Sequence, residues 1–505
     1  MSNFIISIRK MNNTRWFLVL NTETNRSVEY PEFYIKNIVD SLQNATLQNG
    51  CIVGSTGDLS RYTGEAVTVL SRIDKDGDIS YKCVDCRGSI FIVDTNSTGI
   101  YTFTNACKLK NGRLRGINWE IPTEIRHYKI YLLMNKDTPV CKFKDYTKIS
   151  STTGKFPYDF IDLKSWIDIR SQFSCAHNVK EFFKRIGINT AEDFIDIFHC
   201  VSLSDTFWLK EYSSKLRWKD VSPFNRDYSS LISNYALEGK IPDVVDKTKN
   251  YFSPDVATGG SFPHTWKRSK NGTIWFIKGS SKFTLGGRNS GQEPISEYYA
   301  SKICDILGMN HISYGLRIHK RIDGNKDYIT YCKCYTSEST GSVPASSLGL
   351  LSYKDVLLYS KSLSESAFNT ATDMFFLDCL LLNADRHFNN IEFFMDNDTL
   401  QIKDIVPIYD NNYSLLPRFL EGVDVFSRNE YNFTRDGNTT FEDLFNLILK
   451  YNRKRCISLL SKSAKIQLKQ PDNCSIPEER LSFLNNFIKI QVNWLQSLAI
   501  NNRRC

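Results

Sequence analysis

The sequence predicts an α+β protein of more than one domain, and three observations predict it. Short β-branched and aromatic runs fill residues 1–147, apolar residues at helical spacing follow over 148–245, and strands and helices then mix before helix dominates the C-terminal region. At 505 residues the chain exceeds one ordinary core, so two or three domains are expected.

The elements follow in order. Trp16-Phe-Leu-Val-Leu20, Ala66-Val-Thr-Val-Leu70, Ile90-Phe-Ile-Val93 and Ile130-Tyr-Leu-Leu133 read as strands, separated by turn clusters such as Asp74-Lys-Asp-Gly-Asp78. This β-rich N-terminal domain, 1–147, carries no chemistry of its own. Its Cys83-Val-Asp-Cys86 is a lone CxxC; Cys51 and Cys107 could complete a four-ligand zinc site, and ordinary thiols near a turn are the default. A helical connector spans 148–245, with a helix stopped by Gly187, a second over Ala191–Phe198, and a turn at 211–215 between Trp208 and Trp218.

From 246 to 336 a smaller lobe is expected. It has strands at 274–277 and 328–334, and a helix over 294–307 with Pro294 at its start and Gly308 just past its end. A larger helical lobe follows over 337–505. The Ser- and Gly-rich segment 339–351 reads as a loop, 354–382 as mostly helix, and Ser475-Ile-Pro-Glu478 as a capping box opening a C-terminal helix.

Composition sets limits. No apolar stretch reaches the roughly 18 residues of a membrane span, and the N-terminus lacks the pattern of a signal peptide. Fourteen cysteines in that setting predict free thiols and a cytoplasmic location. The net charge of +9 is modest for this length, so direct nucleic-acid binding is not expected.

The chemistry concentrates at 378–410. An apolar run ends in Asn383-Ala384-Asp385-Arg386-His387-Phe388-Asn389-Asn390, and a hydrophobic hairpin then delivers Ile408-Tyr409-Asp410. Phosphoryl transfer needs a carboxylate to orient the attacking hydroxyl, and an amide and a second carboxylate to hold magnesium. Asp385 is the candidate catalytic carboxylate, and Asn390 and Asp410 the candidate metal ligands. The Asp385 to Asn390 spacing matches protein-kinase catalytic loops, although Arg386 and His387 follow the Asp here rather than precede it. Lys278, closing the apolar strand 274–277, is placed to reach an ATP phosphate. Glu297 is its candidate ion-pair partner, with Glu293 the competitor. Thr258-Gly259-Gly260-Ser261 is the candidate phosphate-covering loop; no GxxxxGK[ST] occurs, so a Walker-type ATPase is excluded. Arg386 is left between a phosphate contact and a carboxylate pair, and His387 reads as structural.

The reversed Asp385-Arg386-His387-x-x-Asn390 loop resembles that of the HipA-like atypical serine/threonine kinases. Residues 408–416 resemble the family's metal-binding segment, with Asn411-Asn412 where Gly is usual, and 253–266 and 276–279 are similar to its nucleotide-facing start. The resemblance covers 253–416. It implies an atypical protein-kinase-like bilobal fold, with ATP and Mg2+ as cofactors and a protein Ser or Thr as acceptor. It makes Cys334 and Tyr335 the hinge that meets adenine, and Thr258 or Ser261 the target of a regulatory autophosphorylation. It also implies a toxin-type growth regulator paired with a DNA-binding antitoxin-like partner. A small-molecule kinase and a catalytically inactive nucleotide-binding scaffold are the alternatives.

Overall fold

In a computed structural model the chain divides into two compact units, Met1–Lys129 and Ile130–Cys505. The structure describes the backbone of the strands in the first unit. In the second it describes residues 130–502, apart from 145, 152–154, 172–178, 186, 189–190, 240–250, 261, 281–290, 420–423, 425 and 428–430.

The first unit is β-rich. Arg113–Gly116, Cys107–Lys110, Asn3–Met11, Thr14–Asn21 and Arg26–Pro31 form one antiparallel sheet. Ile90–Asp94, Asp78–Val84, Ala66–Lys75 and Thr102–Asn105 form another, closed by a parallel pair. Lys75 pairs with Asp78 at the end of the hairpin formed by Ala66–Lys75 and Asp78–Val84. Cys86 lies outside the described residues, so the zinc option has no geometry to judge.

The second unit begins with a sheet ordered Thr147–Ser151, Thr138–Lys144, Ile130–Asn135, Phe207–Glu211. Here the expected boundary at 147 is corrected. Leu133 pairs with Leu209, and the strands from 130 onward belong with the connector. The reason is burial: Tyr131, Leu133 and Phe143 share a core with Trp166, Phe198 and Phe207, whereas helices alone would leave those faces wet. Phe182 stacks on Tyr235 with ring centroids 4.0 Å apart.

The small lobe is a sheet ordered His264–Arg268, Ile274–Lys278, Lys326–Lys333, Gly315–Lys320. The helix Glu293–Leu307 packs on it and ends at Gly308 in the left-handed region, φ 70°. Hydrophobic residues of this helix join the core of the large lobe, built on Tyr353–Leu363, Glu365–Leu381, Phe441–Ser463 and Glu478–Asn501. Ser364 separates the first two helices and caps the second, accepting from the Ala367 N–H. Met374, Phe375, Phe376 and Leu377 are all fully buried, because residues 370–381 of this helix are wrapped on every side.

Two further expectations are corrected. The loop read over 339–351 contains the strand Thr340–Pro344, paired to Glu392–Asp396. Its Gly341 is a close-approach residue: a Cβ there would lie 2.4 Å from Asn397 Oδ1 and 2.5 Å from Ser204 O. The capping box at 475–478 does not form; Pro477 is the N-cap and Glu478 accepts instead from Gln470 Nε2 at 2.8 Å. Among the described residues no helix is long and apolar enough to cross a membrane.

Candidate active site

Ile274 and Ile277 are buried, and alternation turns Lys278 to the opposite face from Ile277, towards the helix Glu293–Leu307. Its ammonium hydrogen-bonds Asp410 Oδ1 and lies 3.6 Å from Glu297 Oε2. Of the two candidate partners the geometry brings Glu297; Glu293 sits one turn earlier, at the helix N-terminus. Glu297 is fully buried, and its other oxygen accepts the Asn411 N–H at 2.8 Å. That bond joins the small-lobe helix to the segment carrying Asp410.

The charges follow from this arrangement. Burial opposes the Lys278 charge, but Asp410 and Glu297 outweigh it and hold the ammonium pKa above its ordinary value. Burial likewise opposes the Asp410 carboxylate, and Lys278 overcomes it, so Asp410 sits below the usual range. For Glu297 burial wins, and its pKa is raised. Asp410 adopts a left-handed backbone, φ 56°, an uncommon state for a residue with a side chain.

The candidate catalytic loop is built by local bonds. Glu365–Leu381 ends at Leu382, φ 52°, and the Asn383 side chain donates to Asp378 Oδ1 at 3.0 Å while accepting the Asp385 N–H at 3.2 Å. Asn390 Nδ2 donates to the Asp385 carbonyl at 3.2 Å, which leaves the amide oxygen on the opposite arm. Asp385 has its pKa raised, first by burial and then by Asp410. The Arg435 Nε lies 3.4 Å from its Oδ1.

Arg386 takes the carboxylate pair, not a phosphate. It is 1% exposed and bonds Asp378 through Nε at 3.1 Å. Nη1 donates to the carbonyls of Asn390 at 3.1 Å and Tyr409 at 2.7 Å, and Nη2 to Asn411 Oδ1 at 2.7 Å. One guanidinium thus clamps the candidate catalytic loop to the candidate metal-binding segment. Asp378, its anchor, was the residue to notice in the sequence: an acid inside an otherwise apolar run.

The glycine loop follows the 3-10 turn Pro254–Ala257. Gly259 and Gly260 are exposed, and Gly260 has φ 140°, which favours glycine. The Thr258 hydroxyl donates to Pro254 O at 2.9 Å and accepts from Trp266 Nε1 at 3.0 Å, so it braces the turn. Ser261 lies outside the described residues. Beneath the loop, Asp255 accepts the Trp266 N–H at 2.8 Å, and burial lifts its pKa to about 6. Phe262 packs edge-on against Tyr413, centroids 5.4 Å apart, linking the loop to the segment after Asp410.

The Cys334 N–H bonds Ile274 O at 2.9 Å, and the Tyr335 hydroxyl donates to the half-buried Glu392 at 2.8 Å. A cavity of about 630 Å³ opens beside Trp275, Tyr331, Cys334 and Tyr335, but Lys278, Asp385 and Asp410 do not line it. The pairing of residues, not cavity volume, therefore marks the site. No cluster of three or more His, Cys, Asp or Glu among the described residues could hold a metal. One amide and one carboxylate suit magnesium, which takes few protein ligands and completes its shell with phosphate oxygens and water.

No family model matches the chain, and no curated protein matches it. Similar solved structures include the proinflammatory kinase CtkA of Helicobacter pylori, at 19% identity and TM-score 0.34, over 48% of this chain and 95% of that one. They also include HipA of a Shewanella oneidensis MR-1 toxin–antitoxin system, solved with HipB and operator DNA. That match is 12% identical, with TM-score 0.40, over 73% of this chain and 97% of that one. At scores this low the two likenesses carry no weight beyond a shared mixture of helix and sheet.

Proposed function

We propose that the protein transfers the γ-phosphoryl group of ATP, with magnesium, to a Ser or Thr hydroxyl of a protein. The observation that carries this reading is the convergence of Lys278, Glu297 and Asp410 from three separate segments, with Asp385 in the electrostatic field of Asp410 and Lys278. The protein-hydroxyl acceptor, and a regulator of the antitoxin type, rest on the loop resemblance.

Magnesium bound with ATP would supply the positive charge that draws the phosphate oxygens together. Asn390 and Asp410 are the residues that would hold it. Lys278, held between two carboxylates, would meet an α- or β-phosphate of bound ATP. Asp385 orients the acceptor hydroxyl. The hydroxyl oxygen bonds to the γ-phosphorus as the β–γ bridging P–O bond breaks, ADP leaves, and the hydroxyl proton passes late to the Asp385 carboxylate. Incubation with labelled ATP and magnesium, with and without cell lysate, tests this: label on protein supports it, and label only on metabolites favours the small-molecule alternative.

Asp410→Asn is expected to weaken magnesium-dependent ATP binding by roughly tenfold or more, on the scale of changes around bound metals. It removes the charged ligand and also frees Lys278 from its closest partner. Calorimetry with and without magnesium measures the effect. An unchanged magnesium dependence would show that Asp410 only turns the chain.

A further inference from the structure

We propose that the acceptor side of this site selects a hydroxyl flanked by acidic side chains, through a cationic mouth formed by Arg435 and Arg418. The proposal rests on the phosphotransferase reading of the same site and names its substrate class.

Arg435 approaches Asp385 from solvent: its side chain is 60% exposed against 21% for Asp385. Two cations nearby, Arg386 and Lys278, are already neutralised. Arg386 is buried on Asp378, and Lys278 is held by Asp410 and Glu297. Arg435 is therefore the cation that an incoming acceptor meets.

It is carried on a stiff turn. The Asp436 carboxylate accepts from the N–H groups of Asn438 at 2.9 Å and Thr439 at 2.7 Å. It also accepts from the hydroxyls of Thr434 at 3.0 Å and Thr439 at 2.6 Å. Those bonds hold the Asp436 carboxylate on the N–H and hydroxyl groups of its own turn, and Arg435 beside it is exposed. Arg418 is the second cation. It is exposed, donates to the Tyr413 hydroxyl at 2.7 Å, and lies 5.2 Å from the centre of that ring. Among the described residues no carboxylate pairs with it. Burial raises the Tyr413 pKa, Arg418 and Arg435 oppose that rise, and Asp385 and Glu293 add to it.

This geometry works in both directions. With no substrate, Arg435 rests on the carboxylate that must receive the hydroxyl. A substrate carboxylate offers the guanidinium a bidentate partner, draws it aside, and leaves Asp385 to the hydroxyl. A substrate flanked by Lys or Arg is repelled by both arginines and leaves Arg435 where it is. Attraction of one class and exclusion of the other arise from the same residues.

The test uses the full chain with ATP and magnesium, and two degenerate peptide pools with a central Ser or Thr, one flanked by Asp and Glu, the other by Lys and Arg. The acidic pool is expected to be phosphorylated with about tenfold greater kcat/KM, the equivalent of about 1.4 kcal/mol. Arg435→Glu should remove that preference mainly by raising KM for the acidic pool. Arg435→Lys should retain part of it, and calorimetric ATP affinity should match wild type in both. Equal use of the pools, preference for the basic pool, or an unchanged preference in Arg435→Glu overturns the proposal while ATP binding persists. A wild-type protein that binds no ATP overturns the proposed function, and this inference with it.

Discussion

Asp385→Ala is expected to slow phosphoryl transfer by about 100-fold or more while leaving the fold and most of the ATP affinity intact. Asp385 is half-buried at the mouth, and its side-chain neighbours across the site are Arg435, which is exposed, and the Asp410 charge. Removing it leaves no buried ion orphaned, so stability should hold. Labelled-phosphate transfer measures the rate and calorimetry the nucleotide; wild-type turnover would remove Asp385 from the mechanism. A pH dependence accompanies it. The working form is the carboxylate, and burial followed by Asp410 raises its pKa in the free protein. The acid limb of kcat/KM should therefore lie above the ordinary carboxylate range, with activity lost as pH falls through that raised value. In Arg435→Gln one cause that lowers the pKa is gone, and the limb should move further up. An acid limb in the ordinary range for both proteins would assign the titration elsewhere.

Arg386→Leu is expected to cost roughly 3–5 kcal/mol of stability, the scale for removing one partner of a buried ion pair. The loss is large because Asp378, 1% exposed, would be left charged in the core of the large lobe. Three further acceptors, on Asn390, Tyr409 and Asn411, would lose their donor at the same time. The double variant Arg386→Leu/Asp378→Leu should recover part of the stability, because no buried charge remains, but not the transfer rate, because the catalytic loop and the metal segment lose their clamp. Denaturant midpoints and hydrogen exchange at 383–390 and 408–412 report the two effects separately. A midpoint for Arg386→Leu close to wild type would mean the clamp is dispensable.

What the sequence determined by itself is the geometry that lies within one local segment. The spacing of Asp385 and Asn390 is short enough that the loop's own bonds set it, the Asn390 amide reaching the Asp385 carbonyl directly. Lys278 at the end of an apolar strand, and Glu297 one turn into a helix opened by Pro294, follow from strand alternation and helical register. The tertiary structure decided whatever depends on a distant partner. Arg386 carries the same letters whether it meets phosphate or carboxylate; Asp378 eight residues before it and Asn411 25 residues after it settled the matter. The strand Thr340–Pro344 hides in a Ser- and Gly-rich stretch because its stability comes from pairing with Glu392–Asp396, not from propensity. The strands from Ile130 were assigned to the wrong unit for the same reason, since their partner, Phe207–Glu211, lies beyond three intervening helices. Local periodicity reports what a segment can become. Burial against a remote partner decides which neighbour it keeps, and that term is absent from any short window of sequence.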